Sequence, residues 1–150
     1  MRYQDGMGDS SGTRSLVEGF TAAWATPTAD GLAAMCTEDV ELSQPVTPLV
    51  VGREATRREF ARVLRWLPDL RGIVDEWAAN DTSVMIAFRL CCTLGGKPFE
   101  LRVIDRIVER SGLVAERVAY YDSLRFMIET LRRPRAWLGY LRYRGYLPGG

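Results

Sequence analysis

The 150-residue sequence contains no histidine. That excludes Ser–His and Cys–His nucleophile activation, histidine general bases and histidine-bearing zinc sites. Lysine is nearly absent as well: of 20 basic residues 19 are arginine, which leaves Lys97, on a surface loop, as the one Schiff-base candidate. Cysteine is scarce, with Cys36, Cys91 and Cys92 showing no C-x-x-C spacing. The adjacent pair lies in a β-like run and points to opposite faces, so it cannot jointly hold a metal, and no cofactor is implied. The three read as buried thiols in a reducing cytoplasm. No apolar run approaches the roughly 20 residues that cross a membrane, and the Gly/Ser/Asp-rich start lacks the apolar core of a signal peptide. A net charge of +1 carries no footprint of a nucleic-acid binder.

What is present is a chain that is 47% hydrophobic, enough for one compact domain. After a disordered-looking stretch at residues 1–13, Ser15 to Glu18 has capping-box spacing. Leu16, Val17, Phe20, Ala23 and Trp24 then recur on one helical face. Pro27 suits the first position of a second helix, whose inward stripe is Leu32, Met35 and Cys36. Val40 and Leu42 mark a short strand. A third helix follows Gly52, with Thr56, Phe60, Val63, Leu64 and Leu67 on one face, and Pro68 ends it. Strands follow at about 70–78, 83–94, 97–109 and 113–122, separated by Asn80-Asp81, Gly95-Gly96 and Ser111-Gly112. Gly-Gly and Asn-Asp tolerate the positive φ of tight hairpin turns. Long consecutive strands imply a strongly bent antiparallel sheet, so the fold class is α+β: helices, then a meander, then a helical tail.

The tail differs in character. Residues 1–122 carry 14 basic and 18 acidic side chains, whereas residues 123–150 carry six arginines against Glu129 alone. Trp137, Tyr140, Leu141 and Arg144 share a helical face beside Tyr143, Tyr146 and Leu147. Such a segment docks on its own sheet or a subunit neighbour, lies on a membrane surface or nucleic acid, or recruits an acidic partner protein or carrier domain.

Three segments carry a family resemblance: Val103-Ile104-Asp105 on a long strand, Ala119 to Asp122 ending the last strand, and Met35 to Asp39 leaving the second helix. With Gln44-Pro45 and Gly52-Arg53-Glu54 between them, their order over residues 14–126 resembles the nuclear-transport-factor-like superfamily. That group includes ketosteroid isomerases, SnoaL-like polyketide cyclases and limonene-epoxide-hydrolase-like enzymes. The resemblance implies a cone: a curved sheet wrapped over helices around one apolar pocket, dimerising through the sheet's outer face. It leaves residues 127–150 as a C-terminal helical extension.

Carried over residue by residue, the resemblance places Asp105 where isomerases keep a protonated acid that hydrogen-bonds the substrate oxyanion. Alternation with Val103 and Ile107 turns Asp105 inward, where desolvation raises a carboxyl pKa. Tyr121 is its expected hydrogen-bonding companion. Arg117 is the alternative partner, which would make the pair ionic. The isomerase tyrosine corresponds to Phe20 and the general base to Gln44, which positions a substrate or water but takes no proton from carbon. The essential aspartate of the epoxide hydrolases corresponds to Ala119. The expected pocket wall comprises Phe20, Trp24, Met35, Cys36, Phe60, Leu64, Phe88, Leu90, Cys92, Val103, Ile107 and Ala119, with Trp66 and Trp77 at the mouth. Asp39, Glu41, Glu76 and Asp122 are reserve carboxylates, the first and last better suited to capping and solvation.

These readings imply a cofactor-independent cyclase or isomerase of a bulky, apolar, carbonyl-bearing polyketide-type molecule, with Asp105 as acid or hydrogen-bond donor, or a pericyclic ring closure that needs no base. A non-catalytic binding or dimerisation module is the alternative. An epoxide hydrolase or steroid-type isomerase with an altered catalytic set is the third reading.

Overall fold

The computed structural model describes residues 10–148. Helix α1 (Ser10–Ala25) buries Leu16, Val17, Phe20 and Trp24 at the expected spacing. It begins ahead of the expected Ser15 cap, so the capping-box residues are exposed positions inside the helix. The Ser and Gly residues that precede Ser15 lower helix propensity by only about 0.5–1 kcal/mol each, and lengthening a formed helix needs no new nucleus. Residues 10–13, expected to be disordered, are therefore helical, and the rest of that expected stretch, residues 1–9, lies outside the described residues. Helix α2 (Ala29–Ala34) is capped by Thr28, whose Oγ1 accepts from Gly31 N at 3.0 Å. Pro27 therefore precedes the cap instead of opening the helix, since a hydroxyl at the cap satisfies an amide that proline merely omits. Cys36 opens strand β1 (Cys36–Ser43) and does not extend the α2 stripe.

Strand β2 (Val50–Val51) and helix α3 (Arg53–Trp66) follow, then β3 (Arg71–Ala79), β4 (Val84–Leu94), β5 (Lys97–Arg110) and β6 (Leu113–Tyr121). The sheet order is β2-β1-β6-β5-β4-β3. All neighbours are antiparallel except β1 and β6, which run parallel. The expected antiparallel sheet is thus mixed: β1 reaches β6 through a long excursion, not a hairpin, and that frees its direction. Register shifts with extra residues in β1, β3 and β6 bend the sheet. It curls around the helices as the α+β cone the sequence implied.

Two turns form as expected, with positive φ at Gly95 and Gly96 and at Ser111 and Gly112. The β3–β4 turn does not use positive φ. There Asn80 Oδ1 accepts from Thr82 N and Ser83 N, each at 2.9 Å, so a side chain replaces the backbone conformation.

Helix α4 (Ser123–Leu131) starts at Asp122, whose Oδ1 accepts from Arg125 N at 2.8 Å. The expected division near residue 127 therefore falls inside a helix. Helix α5 (Pro134–Tyr143) folds back against α3 and α4.

Candidate functional site

The inward ladder of the sheet carries Phe88, Val103 and Tyr121 in one row and Ile86, Asp105 and Ala119 in the next, with Ile107 opposite Arg117 beyond. Asp105 is 0% exposed. Its Oδ2 accepts from Arg117 Nε at 2.5 Å, while Oδ1 has no hydrogen-bond partner. The Arg117 guanidinium lies 5.5 Å from the Trp24 ring centre and 6.0 Å from that of Phe60, so aromatic faces and one carboxylate hold the charge. Burial pushes the Asp105 carboxyl above the ordinary carboxylate range, and the charge and hydrogen bond of Arg117 offset part of that rise. Of the two partners left open by the sequence, Arg117 is the one in contact. Tyr121 instead donates to the Pro45 carbonyl at 3.1 Å, and burial raises its phenol.

Above this layer, at the mouth of the cone, lies a cavity of about 110 Å³. Gln44, Trp66, Leu90, Cys92 and Tyr121 of the expected site line it. Asp105 and Arg117 do not. Phe20, Trp24, Phe60 and Phe88 interlock with centroid distances of 5.2–6.1 Å. These rings form packed core together with Cys36, Val103, Ile107 and Ala119, and Met35 and Leu64 pack against them. Four large rings pack against one another beneath the sheet's concave surface, and the cavity lies beside them, lined by other residues. Trp77 stays half-exposed and lines neither this cavity nor the groove between the last two helices.

The cavity also has walls that the sequence reading missed. Val46 and Thr47 come from the loop after β1, Phe126 from α4, and Tyr140, Tyr143 and Arg144 from the α5 region. Val46 has φ +61°, a conformation strained for a β-branched residue. Its carbonyl accepts from Arg144 Nη1. Tyr143 donates to Glu59 Oε1 at 2.5 Å, and Glu59, buried on α3, also pairs with Arg62. Glu59 was visible in the sequence as a charge inside an apolar stripe; its partner 84 residues away was not.

No carboxylate lines this cavity. Asp39 pairs with Arg110 at the surface, Asp122 caps α4, and Glu41 and Glu76 are exposed. The cysteines are free, and burial pushes the Cys92 thiol up to about 11, which keeps it protonated at neutral pH. Among the described residues no cluster of acids and thiols fits a metal, and no helix is long and apolar enough to cross a membrane.

A family profile described as SnoaL-like domain matches residues 17–117. No curated protein matches the chain. Among solved structures, a candidate SnoaL-like polyketide cyclase from a Jannaschia species aligns with a TM-score of 0.71 at 17% identity, covering 83% of this chain and 95% of that one. TerC, co-crystallised with polyporic acid, gives a TM-score of 0.69 at 17% identity over 79% of this chain and 97% of its own. SalBIII, an epoxide hydrolase/cyclase-like enzyme in pyran ring formation in the polyether salinomycin, gives 0.68 at 15% identity over 79% and 96%. At these identities the structures establish a shared fold.

Proposed function

Because this chain belongs to the SnoaL-like domain family, we propose that it is a cofactor-independent cyclase or isomerase of a bulky, mostly apolar, carbonyl-bearing molecule of polyketide type. The observation that carries the reading is the Asp105 carboxyl, buried and raised, with one oxygen held by Arg117 and the other unpartnered. Gln44 meets the substrate oxygen in the cavity, beside Tyr121, whose hydroxyl is held by the Pro45 carbonyl. Asp105, one ladder row beneath Tyr121, donates an O–H on its unpartnered Oδ1 to the developing enolate or polarised carbonyl once the substrate parts that row. Because no carboxylate lines the cavity, proton abstraction from carbon has no base there. A ring closure driven by folding the substrate into a reactive conformer needs none. The polyporic acid bound by TerC and the pyran ring formation of SalBIII support a cyclic, oxygen-bearing molecule. We place the protein in the cytoplasm, where its free thiols stay reduced, and as a homodimer through the outer sheet face.

A second reading, a non-catalytic binding module, is favoured by the separation of Asp105 and Arg117 from the cavity. Epoxide hydrolysis would need an altered set, since Ala119 stands opposite Asp105 where those enzymes carry their acid.

Two variants separate the readings. Asp105→Asn strands a buried guanidinium, at a cost of about 3–5 kcal/mol, so the apolar pair Asp105→Leu/Arg117→Met accompanies it to preserve folding. Each is introduced in the native host, and accumulation of unreacted intermediate is followed by mass spectrometry beside the stability of the purified protein. We expect the apolar pair to fold normally yet slow the reaction at least about 100-fold, the usual size of acid–base catalysis. Normal product formation by the apolar pair would make Asp105 and Arg117 purely structural.

A further inference from the structure

The cavity at the mouth is small for the substrate proposed above: apolar cavities of about 150 Å³ hold a benzene-sized guest. A second space adjoins it. Between α4 and α5 runs a groove of about 260 Å³ walled by Met127, Leu131, Trp137 and Leu141. Phe126 and Tyr140 line both spaces, so two aromatic side chains form their common partition. Neither ring is locked by a tight stack: Phe126 meets Trp66 edge-on at 6.0 Å, and Tyr140 lies tilted 5.5 Å from the same indole. Joined, 110 and 260 Å³ pass the roughly 300 Å³ lower end of drug-sized ligand sites.

The two spaces differ in polarity along their common axis. Gln44, Thr47, Tyr121 and Arg144 stand in the inner cavity. Arg144 contacts the Val46 carbonyl and has no acidic partner among the described residues, which leaves its charge available to an anion. In the groove, Thr130 Oγ1 is spent on the Phe126 carbonyl and Trp137 Nε1 on the Thr130 and Leu131 carbonyls. The groove therefore presents an almost wholly apolar wall to whatever enters. A second copy is a poor occupant, because facing tails would oppose six arginines with six and only Glu129 to relieve each set.

We propose that cavity and groove are two halves of one ligand site, opened by swinging Phe126 and Tyr140, that takes an anionic amphiphile. Its carboxylate or enolate head rests against Arg144 and Gln44, and its apolar chain or ring system lies along the α4–α5 groove. The proposal rests on the small-molecule reading above and adds the direction, length and charge of the molecule.

The probes are n-alkyl carboxylates from hexanoate to dodecanoate, each below its micelle concentration, titrated calorimetrically into the full chain. Affinity is expected to rise about fourfold per added methylene through dodecanoate. Leu131, 62% exposed, lines the groove alone, so Leu131→Asp should flatten the rise for long chains and leave hexanoate unchanged. Arg144→Gln should weaken every member by a similar factor, about tenfold. Hexanoate binding with no gain for longer chains overturns the proposal, and so does no binding of any chain; in both cases the small-molecule reading stands or falls with the Asp105→Leu/Arg117→Met variant. If Leu131→Asp spares dodecanoate but abolishes self-association or binding to anionic vesicles, the groove serves a macromolecule and the proposal also falls.

Discussion

Glu59 and Tyr143 show how single groups fasten the tail. Glu59 is 3% exposed, and Arg62 and the Tyr143 hydroxyl both bond its carboxyl group, so its polar atoms are not left unpartnered. Burial and the neighbouring Glu59 charge together push the Tyr143 phenol far up. An unfolded tyrosine gives up its proton near its ordinary value of 10.0, while the folded one keeps it. Above about pH 10 the native state therefore binds more protons than the unfolded state, and stability falls as pH rises. Cys92 acts with the same sign between 9.0 and about 11. Tyr143→Phe should cost about 1.5–3 kcal/mol at neutral pH, the worth of a hydrogen bond to a charged group. It should also make the alkaline decline shallower, Cys92 keeping its share. Urea midpoints from pH 8 to 11 check this, and equal slopes in both proteins would refute it. The inward direction of Asp105 was legible from its alternation with Val103 and Ile107. The Arg117 contact was legible as one of two alternatives, because strand order limits the neighbours of Asp105 but does not choose among them.

At the scale of elements, the docking of α5 on α3 turns on a glycine. A Cβ at Gly139 would sit 2.4 Å from Trp66 Cδ1 and 2.6 Å from its Nε1. Trp66 cannot yield easily, since its ring stacks on Tyr143 at 5.3 Å and meets Phe126 and Tyr140 on other sides. In an unpacked helix Gly→Ala gains about 1 kcal/mol; here overpacking of about 1–3 kcal/mol opposes that gain. Gly139→Ala should therefore lower stability and shift Trp66 fluorescence, and Gly139→Ala/Trp66→Leu should recover part of the loss. A more stable Gly139→Ala protein would show that α5 does not press on Trp66. The four meander strands were legible because alternation and turn pairs mark them locally. The parallel β1–β6 pairing and the tail's seat on α3 were not, because both depend on contacts between segments far apart in sequence.

At the scale of the molecule, the outer sheet face and the α4–α5 surface both expose apolar side chains, and their charges assign them different roles. On the outer face of the sheet, Ile104 and Tyr120 are paired in the β5–β6 ladder and are 44% and 52% exposed. Met85 on β4 is exposed as well. Arg89 with Asp75 and Glu100, and Arg106 with Glu116, add both signs of charge to these strands. An apolar centre with both signs around it is self-complementary across a twofold axis. The α4–α5 surface carries one sign almost alone, with six arginines against Glu129, and repels its own copy. A homodimer should therefore form through the sheet, burying about 800 Å² on each partner, and leave the groove open. Sedimentation velocity at micromolar concentration should show a dimer. Tyr120→Arg, which places four like charges across the twofold contact in two copies with Arg102 or Arg106, should yield a monomer with unchanged circular dichroism. Leu131→Asp should remain dimeric. A monomeric parent protein, or a dimer lost with Leu131→Asp and retained with Tyr120→Arg, would move the interface from the sheet to the tail.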